Sequence, residues 1–141
     1  MDKKVLNENE LKQVAGGVGP GTMVSSGSFA SNSGTSVNLL VNWTVQSDGY
    51  GARNLYVDVS AASYALYSRS VGIDLTANGV LYSASSAPVS YGGTAQTTNH
   101  LASFVVPNVS GPVNLSVAWH FNGTLSGVPM GDIRAVGVAN T

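Results

Sequence analysis

Val37-Asn38-Leu39-Leu40-Val41-Asn42-Trp43-Thr44-Val45 is the stretch that decides the fold class. Its odd positions are Val, Leu, Val, Trp and Val, and three of its four even positions are polar. Side chains alternate across the two faces of an extended chain, so such a run buries one face and wets the other. A helix would instead need its apolar residues to recur about every 3.6 positions.

The same period of two appears on both sides of this stretch. Leu55, Val57 and Val59 alternate with Tyr56, Asp58 and Ser60, and Val71, Ile73 and Leu75 with Gly72, Asp74 and Thr76. Near the C-terminus Val113, Leu115, Val117, Trp119 and Phe121 alternate with Asn114, Ser116, Ala118 and His120. Turn signals bound each run: Asp48-Gly49, Asn78-Gly79, Gly92-Gly93, Gly111-Pro112 and Asn122-Gly123. Asn78-Gly79 is the signature of a two-residue hairpin, since both residues tolerate positive φ. About eight strands are predicted, near residues 37–46, 53–60, 63–68, 71–77, 80–85, 101–106, 113–121 and 132–139. Regular short strands around one core predict an all-β domain, an antiparallel β-sandwich, with a jelly roll or closed barrel as alternatives. Trp43 and Trp119 fall on the inward phases and are expected to anchor the core.

Composition sharpens the division of the chain. Its 141 residues carry a formal net charge of -1 and no cysteine, so disulfides, thiolate metal sites and Cys nucleophiles are excluded. The near-zero charge offers no basic surface for nucleic acid. Lys3, Lys4 and Lys12, with Asp2, Glu8 and Glu10, all lie in the first 17 positions. From Val18 onward there are only Arg53, Arg69, Arg134, Asp48, Asp58, Asp74 and Asp132, with no Lys and no Glu. Ser, Thr, Asn and Gly must supply the rest of that polar surface. Residues 18–36 are rich in Gly and Ser and read as a flexible entry with one edge strand around Met23 to Ala30. Residues 37–141 read as the β-sandwich domain.

The first segment, Met1-Asp2-Lys3-Lys4-Val5-Leu6-Asn7-Glu8-Asn9-Glu10-Leu11-Lys12-Gln13-Val14-Ala15-Gly16-Gly17, has different chemistry. It lacks the unbroken apolar stretch of about 7–15 residues that a general secretory signal needs. Leu6, Leu11 and Val14 recur near helical spacing among polar residues, which predicts a short amphipathic helix that forms against a groove. Gly16-Gly17 adds an extended dipeptide without side chains, suited to a narrow protease cleft.

This segment resembles the double-glycine leaders of class II bacteriocins, microcins and related peptides. In that family apolar residues stand twelve, seven and four positions before the cut, an acidic residue eight before it, and two glycines end the leader. Leu6, Leu11, Val14, Glu10 and Gly16-Gly17 occupy those places in register. The resemblance implies a leader at 1–17 that a peptidase-containing ABC transporter recognises, cuts between Gly17 and Val18, and exports. It further implies a secreted product that acts on other cells, with an immunity protein guarding the producer. The family's familiar products are shorter and cationic, whereas this chain is long and nearly neutral. An adhesin, lectin-like or biofilm-matrix protein using the same export route is the alternative.

Catalytic signals are sparse, and the expectation is a non-enzyme without cofactor or metal. No serine sits in a Gly-x-Ser-x-Gly elbow, and no His-x-x-x-His or Asp-x-Asp-x-Asp spacing occurs. Asp48 in Ser47-Asp48-Gly49 offers oxygens to calcium but reads first as a turn residue. Tyr50, Tyr56, Tyr91 and His120 are the candidate binding surface, because they adjoin turns or fall on outward phases and carry aromatic rings with a polar edge. Through them the target is a cell surface, a glycan or a membrane. The Asn-x-Ser/Thr triplets at Asn42, Asn108, Asn114 and Asn122 read as products of a Ser/Asn-rich composition.

Overall fold

The computed structural model describes residues 21–31, 37–63, 67–90, 97–125, 128–129 and 131–141. The leader positions Leu6, Glu10, Leu11, Val14, Gly16, Gly17 and Val18, and also Tyr91, lie outside them. The strands are β1 (Thr22–Ala30), β2 (Asn38–Ser47), β3 (Arg53–Ser63), β4 (Tyr67–Ser68), β5 (Gly72–Ala77), β6 (Val80–Ser85), β7 (Val89–Ser90), β8 (Thr97–Val106), β9 (Pro112–Trp119), β10 (Thr124–Leu125), β11 (Val128–Pro129) and β12 (Ile133–Asn140). Eight of them form two antiparallel four-stranded sheets, ordered β1-β2-β3-β8 and β12-β9-β5-β6. The remaining four make two short ladders, β4 with β7 and β10 with β11.

The chain builds β1, β2 and β3 as a meander, crosses to the second sheet for the β5–β6 hairpin, returns for β8, and ends on β9 and β12. Asn78 and Gly79 close the β5–β6 hairpin with φ of 47° and 84°, values that suit Asn and Gly. Asn78 also ties that turn to β9: Asn114 N–H donates to its Oδ1 at 2.8 Å, and its own N–H donates to the Asn114 carbonyl at 3.0 Å.

The core lies between the sheets. Leu39, Val41, Val45, Leu55, Val57 and Val59 face inward from the first sheet, and Ile73, Leu75, Leu115, Val117 and Ile133 from the second. Each such side chain contributes about 1.5–3 kcal/mol by leaving water. Both tryptophans are buried, one in each sheet, as the alternation requires. Edge strands β1 and β12 lie against each other across the sandwich, where Ser25 Oγ donates to the Asn140 carbonyl at 2.9 Å.

The sandwich begins earlier than residue 37. β1 pairs with β2 from Thr22↔Ser47 to Ala30↔Leu40, with a bulge between Met23 and Ser25, so much of the expected entry segment is a full strand. It takes the eighth place expected of residues 63–68, of which Ser63 ends β3 opposite Thr97 and Tyr67 and Ser68 pair in the β4–β7 ladder. Glycine makes this possible. A Cβ on Gly27 would sit 2.5 Å from Trp43 Cζ2, and one on Gly137 in β12 would sit 2.4 Å from Phe29 Cδ1. The two rings occupy space that side chains on those strands would otherwise fill. Among the described residues no helix is long and apolar enough to cross a membrane.

Candidate functional site

The polar side chains of the described residues gather at three places outside the core. The first is a cluster around His120, which follows β9 and is held by its N–H donating to the Gly72 carbonyl at 2.9 Å. Its ring Nε2 lies 2.8 Å from Asp74 Oδ2, and its Nδ1 lies 3.0 Å from Asp132 Oδ2. Asp74 also accepts from Ser83 Oγ at 2.7 Å, while Asp132 accepts from Arg134 at 3.1 Å and from Asn122 Nδ2 at 3.3 Å. Only a doubly protonated imidazole can donate to both carboxylates at once.

The hydrogen bond to Asp74, followed by that to Asp132, holds the His120 imidazolium above its ordinary range. The same hydrogen bond from His120, aided by Ser83, holds the Asp74 carboxyl below its ordinary range. The cluster therefore binds β5, the end of β9 and the start of β12 by charge as well as by backbone. The His120 side chain is 36% exposed and its two carboxylates 29% and 25%, so solvent screening trims this clasp to about 1 kcal/mol.

Its pH dependence has a definite sign. The raised His120 contributes fully below the ordinary imidazole value of about 6.5 and loses its contribution as pH rises through the raised one. The lowered Asp74 contributes above its ordinary range and loses its part as pH falls through the depressed value. Thermal melts are expected to show a plateau at mildly acid pH and a fall of about 3–5 °C in Tm on going alkaline. In His120→Gln that alkaline fall should vanish. An unchanged fall in the variant would place its origin elsewhere.

The second place is a cleft of about 250 Å³ beside this cluster, lined by Ser68, Arg69, Val71, Phe121, Asn122 and Gly123. Phe121 is buried and packs against Trp119 with ring centroids 5.0 Å apart, so the cleft has an apolar floor. Arg69 stands exposed at its rim with no carboxylate partner among the described residues. Asn122 links the rim to the His120 cluster through Asp132. A guanidinium, an amide and an apolar floor suit a ring that carries hydroxyl or carboxylate groups.

The third place is on the outer face of the first sheet. Ser103 Oγ donates to Asp58 Oδ1 at 2.5 Å and lies 2.8 Å from His100 Nε2. A bulge in β8 assembles the trio: Val59 pairs with Ala102 and Ser60 with His100, leaving Leu101 extra. Without it, residues three apart would point to opposite faces. The order is His-Ser-Asp, with serine in the middle. Its hydroxyl proton is committed to Asp58, so His100 must donate to Ser103 Oγ and cannot act as its base. In a nucleophilic triad histidine stands between the other two.

Of the candidate binding residues, Tyr50 is 89% exposed at the β2–β3 turn, and Tyr56 is half-buried on the outer face of the first sheet. His120 belongs to the second sheet, so Tyr56 and His120 stand on opposite sides of the sandwich and share no surface. Asp48 builds the β2–β3 turn: its Oδ1 accepts from Tyr50 N–H at 2.7 Å and Ala52 N–H at 3.1 Å. Among the described residues no group of three or more His, Asp or Glu side chains is arranged to hold a metal ion. Sequence reading missed Arg69 and the two carboxylates that hold His120. The outward phases of Asp74 and His120 were legible, but their meeting depends on strand order.

Fold and site together define a two-sheet antiparallel β-sandwich protein with charged and hydrogen-bonded clusters on its outer faces and a cleft at one end. No family model matches the chain, and neither a curated protein nor a solved structure matches it.

Proposed function

We propose that the chain is a secreted, bacteriocin-like protein. A peptidase-containing ABC transporter binds the leader through Leu6, Glu10, Leu11 and Val14 and cuts between Gly17 and Val18. The released β-sandwich then acts on other cells, and an immunity protein protects the producer. The observation that carries this reading is the set of leader positions in register, ending at Gly17 with four residues between it and Thr22, where β1 begins. A cut after Gly17 removes the segment of different chemistry and leaves all eight sandwich strands whole.

What remains after the cut carries three Arg and four Asp, so attraction to anionic lipid is a poor driver. Contact with a specific surface group is the mode we assign. The cleft of Arg69, Phe121 and Asn122 also favours a second reading, an adhesin, lectin-like or biofilm-matrix protein sent out by the same route.

Intact mass of the protein in culture supernatant, with and without the transporter, tests the export step. A species beginning at Val18 that disappears with the transporter is expected. A full-length protein kept in the cytoplasm would sink both readings. Killing of related strains by the purified sandwich supports the first reading, and retention on glycans or cells without killing supports the second.

A further inference from the structure

From the outer edge of the second sheet we infer that this chain pairs with a second copy of itself through β6. Among the described residues, strand β6, Val80-Leu81-Tyr82-Ser83-Ala84-Ser85, ends its sheet and overhangs the core. Val80, Tyr82 and Ala84 share the inward phase, yet Val80 is 55% exposed, Ala84 is exposed and Tyr82 is only half-buried. On the outer phase Leu81 is 61% exposed. An inward face that its own opposite sheet does not cover is open to a partner.

The other edges are defended. β1 carries a bulge and lies against β12, β12 carries Arg134, and β8 carries both a bulge and Pro107 at its end. β6 has no charge, proline or bulge, the devices that keep edges from pairing. The lack of charge also suits a second copy, since an identical strand meets it with no like charges opposed and sets the small Ala84 opposite Val80.

The register follows from the hairpin. A two-residue turn makes Ala77↔Val80 a hydrogen-bonded pair, so the backbone groups of Leu81, Ser83 and Ser85 point to the open edge. Two antiparallel registers keep the inner faces together and pair five residues, with the two-fold axis at Ser83 or at Tyr82. The Ser83 axis leaves Val80 outside the ladder, whereas the Tyr82 axis pairs all three inner residues, Val80, Tyr82 and Ala84, and is the one we assign. Leu81 then exchanges hydrogen bonds with Ser83 of the second copy, Tyr82 meets its own copy, and Val80 lies opposite Ala84. The second sheet continues across the two copies as eight strands.

Sedimentation of the full chain, raised to about 1 mM so that even a weak Kd is sampled, tests the pairing. A concentration-dependent doubling of mass is expected. Val80→Lys with Ala84→Lys sets lysines opposite each other and should abolish the doubling. Val80→Lys with Ala84→Glu makes opposite charges meet and should restore it, which also shows that the substituted strand still folds. A monomer at every concentration, a dimer that survives the lysine pair, or loss in both double variants would overturn the inference.

Discussion

Trp119→Ala is expected to lower the free energy of unfolding by about 3–5 kcal/mol, the range for emptying a buried aromatic site. Trp119 is fully buried at the end of β9, in register with Ile133 on one side and Ile73 on the other. It also packs against Phe121, and its Nε1 donates to the buried Ser86 Oγ at 3.2 Å. Ser86 keeps other bonds in the variant, since Val71 N–H donates to the same Oγ and Ser86 N–H donates to the Val71 carbonyl. The loss is therefore mainly one of volume and dispersion. A small domain has about 5–15 kcal/mol in all, so the variant should sit near the edge of folding. Urea titration checks this: the midpoint should fall sharply with the slope unchanged. Trp119→Phe should recover more than half of the loss. A stability loss under about 1 kcal/mol would mean that the ring is not a core anchor.

That anchor was legible because its strand alternates cleanly. Val113, Leu115, Val117 and Trp119 are all apolar and all inward, and hydrophobic period is the signal that sequence carries best. β1, expected as an edge strand around Met23 to Ala30 and found at Thr22–Ala30, carries a weaker signal. Its inward residues opposite β2 include Thr22, Ser25, Gly27 and Phe29, of which one is a large hydrophobe. The Trp43 ring of β2 fills the space above Gly27, while β1's own Phe29 reaches over Gly137 of β12, so small and polar residues hold most of the inward places of β1 and its period is weak. The expected strand at 101–106 is shorter than β8 for a related reason: the first residues of β8, Thr97 to His100, are polar and precede the bulge at Leu101.

The site was less legible than the fold. Alternation placed Asp74 and His120 outward, but their contact needs β9 to lie between β5 and β12. Strand order comes from packing of the whole sandwich and from no local residue pattern. The Ser103 trio depends on one extra residue in β8, which shifts the face on which His100 appears. Tyr56 and His120 had the right phase but belong to different sheets, a distinction that phase cannot supply.

On the proposed reading, Gly16→Arg is expected to leave the protein full-length inside the producing cell, with processing reduced by about 100-fold or more, the scale set by a misplaced reacting bond. Two glycines next to the scissile bond let the backbone enter a cleft that no side chain fits. An arginine there brings a long charged group to a position with no room and no partner. The helix-spaced contacts at Leu6, Glu10, Leu11 and Val14 remain, so the variant should still bind the transporter and compete with the native chain for it. The substitution lies ahead of β1, which starts at Thr22, so it changes no residue of the paired strands. Its thermal melt should match that of the unprocessed native chain, which separates a processing defect from a folding defect. Secretion of the variant at native levels, cut after Gly17, would remove the leader and leave the sandwich without an assigned route to its target.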